Sequence, residues 1–356
     1  MLALQVEGYS VTAVAPEDGY AEKIRAAGIS FEAVPLAGRG VNPIVELQSV
    51  VRLWTLLTRR PGGRFGLVLS YTPKGNLYAA LACMPARIPF VPNVSGLGRT
   101  SIRRSILTWV VETLYRVTLR RAHRVFFQNN DDLESFVRKG LVRADLAERL
   151  PGSGVDLVRF QPTDVGMAPA RAADAPVFLL MARMMWDKGV GEYVSAARVV
   201  KARYPQARFQ LVGFLDVANP SAISRVQMDA WAAEGLVDYQ GPTDDVRPWL
   251  ALADCVVLPS YREGVPRTLL EAAAMALPIV TTDAPGCRDT VMDGETGFLC
   301  RAADAKDLAE KLLRFTALPL KEREAMGRRG RTFVEKNFDE KFVLQRYIDV
   351  VKKLAA

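Results

Sequence analysis

The stretch that decides the fold is Cys255–Ala272, which reads CVVLPSYREGVPRTLLEA. Its first four residues are apolar, which suits a buried parallel strand. A turn with Gly264 and Pro266 follows. Pro266 is expected to be the first helical residue, because its missing N–H is one of those that a helix start leaves unpaired. The helix is predicted to continue to Met275. Strand, turn and helix in this order predict one unit of a parallel α/β sheet.

The turn of this unit carries candidate binding groups. It lies at the carboxyl end of a strand, where open α/β sheets bind ligands. The N–H groups around Gly264, Val265 and the residue after Pro266 lie at a helix N-terminus, which favours an anion. Glu263 and Glu271 are eight positions apart, so their carboxylates can accept hydrogen bonds from hydroxyls at two ends of one extended ligand. An ordinary turn with two solvated glutamates is the alternative interpretation.

A second candidate turn follows the predicted strand Val177–Ala182. It reads RMMWDKG from Arg183 to Gly189 and leads into a predicted helix. The Arg183 guanidinium can grip a phosphate through two parallel hydrogen bonds, and Lys188 adds a mobile point charge. The dipole of the following helix favours a diphosphate at the same place. A solvated surface turn is the alternative interpretation.

Strands alternate with helices along nearly the whole chain, which predicts an α/β fold with mostly parallel sheets. A chain of 356 residues is too long for most single cores, so two domains are expected. Residues 161–176 are rich in proline and have the composition of a linker. The predicted domains are therefore residues 1–160 and 177–336, with a terminal helical segment at 337–356.

The composition argues against several classes of protein. No run of about eighteen or more apolar residues occurs, so no segment is expected to span a bilayer, and no secretory leader is expected. The four cysteines lack the spacing of a metal site, and buried reduced thiols in a cytosolic protein are expected instead. They are Cys83, Cys255, Cys287 and Cys300.

The excess positive charge lies in the first half of the chain. The net charge is +8, and residues 36–128 hold 14 Lys and Arg but only two acidic residues, Glu46 and Glu112. This asymmetry indicates an anionic partner: a membrane surface, a phosphorylated acceptor or nucleic acid. Residues 101–124 are predicted to form a basic helix with Trp and Tyr side chains, which suits an anionic membrane interface. A core-packing helix with a solvated basic edge is the alternative.

Taken together, these segments resemble the retaining GT-B glycosyltransferases of the family-4 type. The resemblance covers nearly the whole chain and is most specific in the second half. The first half resembles members that extend bacterial surface polysaccharides on lipid-linked acceptors. The matching motifs are Glu263–x7–Glu271, Arg183 with Lys188, Gly152–Ser153–Gly154–Val155–Asp156, Gly294–Glu295–Thr296–Gly297–Phe298, Tyr71–Thr72–Pro73–Lys74 and Val94–Ser95–Gly96–Leu97–Gly98.

The resemblance implies a fold of two Rossmann-like domains that face each other across a cleft. Residues 1–160 would bind the acceptor, and residues 177–336 would bind the nucleotide sugar. The terminal helix at 337–356 would cross back to the first domain. The family's first strand and Gly-rich loop are not found at the start of this sequence, and their loss is expected to be costly to the sheet and to activity.

The resemblance also assigns roles to single residues. Arg183 and Lys188 would hold the donor diphosphate and stabilise charge on the leaving phosphate. Glu263 would hold the hydroxyls of the donor sugar, with the backbone of Gly264, Val265 and Pro266 beside it, and Glu271 would hold the ribose. Arg183, Lys188 and Glu263 are the predicted catalytic residues.

Transfer in this family retains the anomeric configuration, and the departing phosphate is proposed to take the acceptor proton. The resemblance implies that no metal is needed, because Arg and Lys supply the positive charge. No Asp–x–Asp motif lies in a suitable loop. The single histidine, His123, is interpreted as structural, which suits the role of the phosphate as base.

The sequence thus predicts a cytoplasmic glycosyltransferase, peripheral at the inner face of the membrane. It would move a sugar from a nucleotide diphosphate donor onto a polyprenyl-linked saccharide. The donor is expected to be a UDP-sugar, as the resemblance implies. No cofactor and no nucleic-acid partner are expected. One alternative is a sugar-nucleotide epimerase of the same architecture, which would need acid/base carboxylates or a histidine in the site. Another is a basic nucleic-acid-binding protein, although aromatic and basic residues do not interleave on its strands. A third is an inactive relative, given the missing start.

Overall fold

The computed structural model describes residues 1–35, 43–59, 63–96, 106–162, 174–215, 217 and 219–355. The chain divides into two compact units. The first consists of Met1–Leu150 and Lys341–Ala356, and the second of Pro151–Glu340. Residues 151–160, predicted in the first domain, and residues 337–340, predicted in the terminal helix, therefore group with the second unit. Most of the predicted linker lies outside the described residues.

The first unit contains two parallel sheets among the described residues. One is two-stranded, and the other has four strands in the order β3-β4-β5-β6. The strands are β1 Thr12–Ala15, β2 Ser30–Ala33, β3 Val68–Tyr71, β4 Phe90–Val94, β5 Val125–Phe127 and β6 Ala147–Arg149. The helices are α1 Leu2–Val6, α2 Ala21–Ala26, α3 Pro43–Arg59, α4 Pro73–Ala86, α5 Ile106–Leu119 and α6 Asn130–Arg138, and the terminal helix, described below as α13, belongs to the same unit.

The core of the first unit forms around α4. This helix is apolar on nearly all sides, a pattern typical of a helix that is buried on all sides. It is packed between α3 and α5, and it covers β3 and β4. Leu53 and Leu57 of α3 and Tyr115 and Leu119 of α5 belong to the same buried cluster as the small side chains of α4.

The second unit is built on one six-stranded parallel sheet. Its strands lie in the order β12-β11-β10-β7-β8-β9. The inner strands read VFLLM, CVVL and IVTT and are almost fully buried, as expected for a sheet with helices on both faces. The strands are β7 Val177–Met181, β8 Arg208–Val212, β9 Asp238–Tyr239, β10 Cys255–Leu258, β11 Ile279–Thr282 and β12 Gly297–Cys300.

The helices of the second half confirm the predicted alternation, with small shifts at their ends. The prediction that Pro266 is the first helical residue is wrong. Its backbone is extended, with a ψ of 114°, so it precedes the helix and Arg267 is the first helical residue. The helices are α7 Val190–Arg203, α8 Arg225–Ala233, α9 Arg247–Leu252, α10 Arg267–Ala274, α11 Ala305–Ala317, α12 Leu320–Asn337 and α13 Glu340–Ala355.

The basic helix predicted at residues 101–124 is shorter in the described part of the chain. Residues 101–105 lie outside the described residues, and α5 ends at Leu119. A turn follows, in which the Ala122 N–H donates to the Leu119 carbonyl, and the chain then enters β5. Arg120–Arg124 therefore belong to the connection and not to the helix. Among the described residues, no helix combines the length and apolarity that a bilayer span requires.

Candidate functional site

The strand order of the second unit places two predicted loops side by side. Numbered within this sheet, the order is 3-2-1-4-5-6, and it reverses between β7 and β10. These two strands are neighbours, with Cys255 opposite Phe178 and Val256 opposite Leu179. Ligands of open α/β sheets bind outside the carboxyl ends of the strands at such a reversal. The loop after β7 carries Arg183 and Lys188, and the loop after β10 carries Glu263.

Close backbone packing holds the two loops together. Gly189 has a φ of +72°, and a Cβ added there would lie 2.1 Å from the Pro259 carbonyl oxygen, so only glycine fits. The Tyr261 N–H donates to the Asp187 carbonyl at 3.0 Å, and the Ser260 hydroxyl lies 3.1 Å from the same oxygen. The position of the second loop is therefore fixed by the first.

Lys188 and Glu263 form an ion pair where the loops meet. The Lys188 Nζ lies 2.5 Å from Glu263 Oε1, and the two side chains are only 17% and 16% exposed. The Ser260 Oγ lies 2.7 Å from the same carboxylate oxygen. A hydrogen-bonded charge pair with little water around it holds both side chains in one geometry. The pair thus presents a positive and a negative group together at the edge of the sheet.

A third loop, after β11, supports the Glu263 backbone. The Glu263 N–H donates to the Pro285 carbonyl at 3.0 Å. Gly286 has a φ of +77°, and a Cβ added there would lie 2.1 Å from the Gly264 oxygen and 2.4 Å from the Glu263 oxygen. The Thr282 hydroxyl donates to the Ser260 carbonyl at 2.5 Å. Three successive strand ends therefore shape one loop.

Glu271 lies in the second turn of α10 and is buried. Its Oε1 is 3.4 Å from the Arg267 guanidinium one turn earlier. Burial raises the pKa of the Glu271 carboxyl above its ordinary value, and Arg267 and Arg159 lower it in part. Its hydrogen bonds and ion pairs within the described residues do not join it to Lys188 or Glu263, so the two carboxylates form separate parts of the site.

The predicted residues occupy different environments. Lys188 and Glu263 are in direct contact, and Gly264, Val265 and Pro266 are buried behind them. Arg183 is exposed and forms no ion pair within the described part of the chain. Its guanidinium is therefore accessible to an anion, whereas the Lys188 ammonium already has Glu263 as a partner.

Several residues at this edge were not predicted from the sequence. Ser260 contacts Glu263, Asp187 accepts from the second loop, and Gly286 fits under Glu263. A usable signal existed for Gly286, because Pro285–Gly286 is a turn directly after a buried strand and the carboxyl ends of parallel strands meet at one edge. The contact made by the Asp187 carbonyl could not be predicted from residue type, because every residue has a backbone carbonyl. Among the described residues, no cluster of three or more His, Cys, Asp or Glu side chains is arranged to hold a metal.

The buried Glu271 predicts a measurable pH dependence of stability. Because the folded pKa is raised, the contribution of Glu271 to stability is greatest below the ordinary Glu pKa of about 4.3 and declines as the pH rises through the raised folded pKa. Glu271→Gln removes this contribution, so we expect the free energy of unfolding of the variant minus that of the parent to rise with pH across this window, and the variant to match or exceed the parent at neutral pH. Urea denaturation between about pH 4 and pH 8 measures both.

Glu324→Gln is the matched control for that prediction. Glu324 forms an i,i+4 pair with Arg328 on α12 but is exposed, so its removal leaves the pH slope of the parent unchanged. If Glu271→Gln shows the same slope as the parent protein, burial does not penalise this carboxylate and the prediction is wrong.

Comparison with known proteins identifies the class. The family described as "Glycosyl transferase 4-like domain" matches residues 1–152, and "Glycosyl transferases group 1" matches residues 175–317. Two Rossmann-like units with these matches define a glycosyltransferase of the GT-B fold. The chain belongs to the family-4 type of these glycosyltransferases. Membership of this family favours a glycosyltransferase over the two alternatives named above, a sugar-nucleotide epimerase and a nucleic-acid-binding protein.

Individual relatives point the same way. The chain is 28% identical over 366 residues to the N,N'-diacetylbacillosaminyl-diphospho-undecaprenol alpha-1,3-N-acetylgalactosaminyltransferase of Campylobacter jejuni, covering 99% of this chain and 93% of the relative. It is 25% identical over 291 residues to the UDP-Gal:alpha-D-GlcNAc-diphosphoundecaprenol alpha-1,3-galactosyltransferase of Escherichia coli, covering 80% and 74%. The Anabaena protein Alr3699/HepE, solved with UDP-glucose, has the same fold, with a TM-score of 0.77, 19% identity and coverage of 99% and 94%.

Proposed function

We propose that this glycosyltransferase moves a sugar from a UDP-sugar onto a saccharide carried on polyprenyl diphosphate, with retention of the anomeric configuration. The observation that carries the proposal is the Lys188–Glu263 pair at the reversal point of the nucleotide-binding type of sheet. The relatives support the substrates: two are named for transfer to undecaprenyl diphosphate-linked sugars, and one of these names UDP-Gal.

In the proposed donor site, each residue has one task. Lys188 and Arg183 bind the diphosphate. Lys188 does so from its place beside Glu263, and Arg183 does so from an exposed position. Glu263 accepts hydrogen bonds from sugar hydroxyls, with the backbone at Gly264, Val265 and Pro266 beside it. Glu271, farther along α10, accepts from the ribose hydroxyls.

The proposed reaction breaks the bond between the anomeric carbon and the β-phosphate oxygen and forms a bond from the acceptor oxygen to the same carbon and face. The acceptor proton passes to the departing phosphate oxygen. Lys188 and Arg183 stabilise the negative charge that develops on the leaving UDP. We propose that this pair of cations takes the place of a metal ion, so that transfer continues when divalent metals are chelated.

We assign acceptor recognition to the first unit. The segment Tyr71–Lys74 joins the end of β3 to the first turn of α4, and Thr72 between these two elements has a φ of 66° and a ψ of 154°. A β-branched residue rarely adopts this conformation, and such strain concentrates at functional loops. Residues 94–98 are the other motif of the first half that matches the family, and of these, residues 97 and 98 lie outside the described residues. A lipid-linked acceptor places the enzyme at the inner face of the cell membrane, where the basic stretch 101–124 would meet anionic lipid.

Calorimetric titration with UDP and GDP tests the donor assignment. We expect UDP to bind in the micromolar range and both Arg183→Ala and Glu271→Ala to abolish measurable binding, since each removes a direct contact. The control is Lys201→Ala, which should keep parent affinity, because Lys201 of α7 donates to the Gly235 carbonyl and has no proposed role in donor binding. Transfer to a short-chain polyprenyl diphosphate sugar, with the product anomer assigned by NMR, tests the reaction. Failure to bind either nucleotide, or an inverted product, contradicts the proposal.

A further inference from the structure

Helix α3 exposes apolar side chains where a surface helix usually carries charge. Its inner face is buried through Ser49, Leu53 and Leu57. On the opposite face, Ile44, Leu47 and Val51 are 68%, 64% and 48% exposed. Their spacing of i, i+3 and i+7 aligns them on one side of the helix. A helix that is apolar on both faces is normally buried, so this outward stripe calls for a partner.

Charge is also missing from the first two turns of this outward face. The acidic residue in them, Glu46, is turned inward and accepts from the Lys74 Nζ at 2.8 Å. Glu46 therefore neutralises a lysine of α4 and does not hydrate the outward face. The next charges along the helix are Arg52 and Arg59, which are exposed.

Helix α5 has a similar outward stripe. Trp109 and Val117 are 67% and 54% exposed, and with Thr113 they are spaced i, i+4 and i+8. Both α3 and α5 pack against α4 and contribute to the same core cluster. We call the exposed side chains of Ile44, Leu47, Val51, Trp109 and Val117 the α3–α5 face. Two helices that both pack against α4 thus each present apolar residues outward.

The charges around the α3–α5 face favour an anionic occupant. Glu46 and Glu112 are the two acidic residues of the stretch 36–128, and both are paired, Glu112 with the Lys139 Nζ at 2.6 Å. The exposed arginines on α3 and directly after α5 form no ion pair within the described part of the chain, and they are Arg52, Arg59, Arg120 and Arg121. Apolar side chains bordered by uncompensated arginines fit an interface with anionic headgroups above acyl chains.

We propose that the α3–α5 face inserts shallowly into an anionic phospholipid bilayer. Apolar insertion, chiefly by α3, would add to the charge attraction assigned above to the basic stretch. The inference rests on the proposed function in one respect: a polyprenyl-linked acceptor is reached at a bilayer surface. Salt screens the attraction between the arginines and the anionic headgroups, but it does not weaken the burial of apolar side chains. Vesicle binding should therefore decline as ionic strength rises but not vanish.

Vesicle sedimentation of the purified full chain tests this surface. The vesicles are phosphatidylcholine alone and phosphatidylcholine mixed with phosphatidylglycerol. We expect binding to the mixed vesicles and a roughly tenfold or greater loss in the partition coefficient for the triple variant Ile44→Gln, Leu47→Gln, Val51→Gln. The matched control is Val199→Gln with Val226→Gln, two exposed valines on helices of the second unit, which keeps parent binding.

A second measurement does not depend on the triple variant. Brominated acyl chains quench tryptophan fluorescence on contact, so mixed vesicles should quench the parent protein and quench Trp109→Phe much less. UDP affinity, measured on all variants, separates this inference from the proposed function. If UDP does not bind but the triple variant loses vesicle binding, the docking surface stands and the function fails.

Three outcomes overturn the inference. One is parent-like vesicle binding by the triple variant. Another is equal binding of the parent to neutral and anionic vesicles in low salt. The third is a dimeric parent that becomes monomeric in the triple variant with vesicle binding unchanged, which would assign the α3–α5 face to a second copy of the chain.

Discussion

Replacing Lys188 by alanine is expected to lower kcat for sugar transfer by about 10²–10³-fold, the usual effect of removing one group that stabilises transition-state charge. The Lys188 Nζ lies 2.5 Å from Glu263 Oε1 and is poorly exposed, so its charge acts where water screens little. If the lysine contacts the diphosphate, the affinity ratio between UDP and UMP should collapse in Lys188→Ala, because the lost contact belongs to the second phosphate. Steady-state kinetics and titrations with the two nucleotides measure these effects.

A structural role for the same lysine is separable by a double variant. In Lys188→Ala, the poorly exposed Glu263 carboxylate loses its lysine partner, which by itself disturbs the loop. Lys188→Ala with Glu263→Gln removes both charges and thus this disturbance. If Lys188 served only to neutralise Glu263, the double variant would recover the parent's affinity for UDP. We expect it to stay impaired, while Lys201→Ala keeps parent values.

The second half of the fold was predictable from sequence because its strands are short apolar runs buried on both faces. Such runs mark parallel strands, and the turns after them mark the carboxyl edge of the sheet. Lys188 and Glu263 were assigned to that edge from residue type and from the family resemblance, and the structure places them in contact. The roles proposed for them stay predictions.

Other features depend on contacts that no local pattern encodes. Periodicity predicts strands but not their order, so the reversal between β7 and β10 could not be derived from it. The support of Glu263 by the Pro285 carbonyl joins residues 22 positions apart through backbone atoms, which every residue type possesses. The end of α5 was misjudged because arginine and alanine, which fill most of residues 120–124, have good helix propensities, whereas the chain turns at Ala122 before it enters β5.

The exposed stripe of α3 shows a different limit of sequence patterns. Its apolar residues predict an amphipathic helix, but periodicity does not tell which apolar residues face the core. The structure resolves this by burying Leu53 and Leu57 and exposing Ile44 and Leu47. The apolar residues of α3 therefore form two faces, one packed in the core and one exposed.

Gly286→Ala is expected to destabilise the second unit strongly and to displace the Glu263 loop. The new Cβ would lie 2.1 Å from the Gly264 oxygen and 2.4 Å from the Glu263 oxygen, and the residue would keep a φ of +77°. Backbone strain and overpacking should together cost roughly 2–6 kcal/mol of the stability of the second unit. Relief of the clash moves the Glu263 loop, so UDP-sugar affinity should fall as well. Denaturant titration and calorimetry measure the two effects.

Gly294→Ala separates the two causes. Gly294 also has a φ of +77°, but nothing lies within 4 Å of an added Cβ. It should therefore show only the backbone cost of about 1–2 kcal/mol and keep parent donor affinity. The difference between the two variants isolates the contact of Gly286 with the loop. Equal stability and affinity in both would mean that the loop after β11 does not position Glu263.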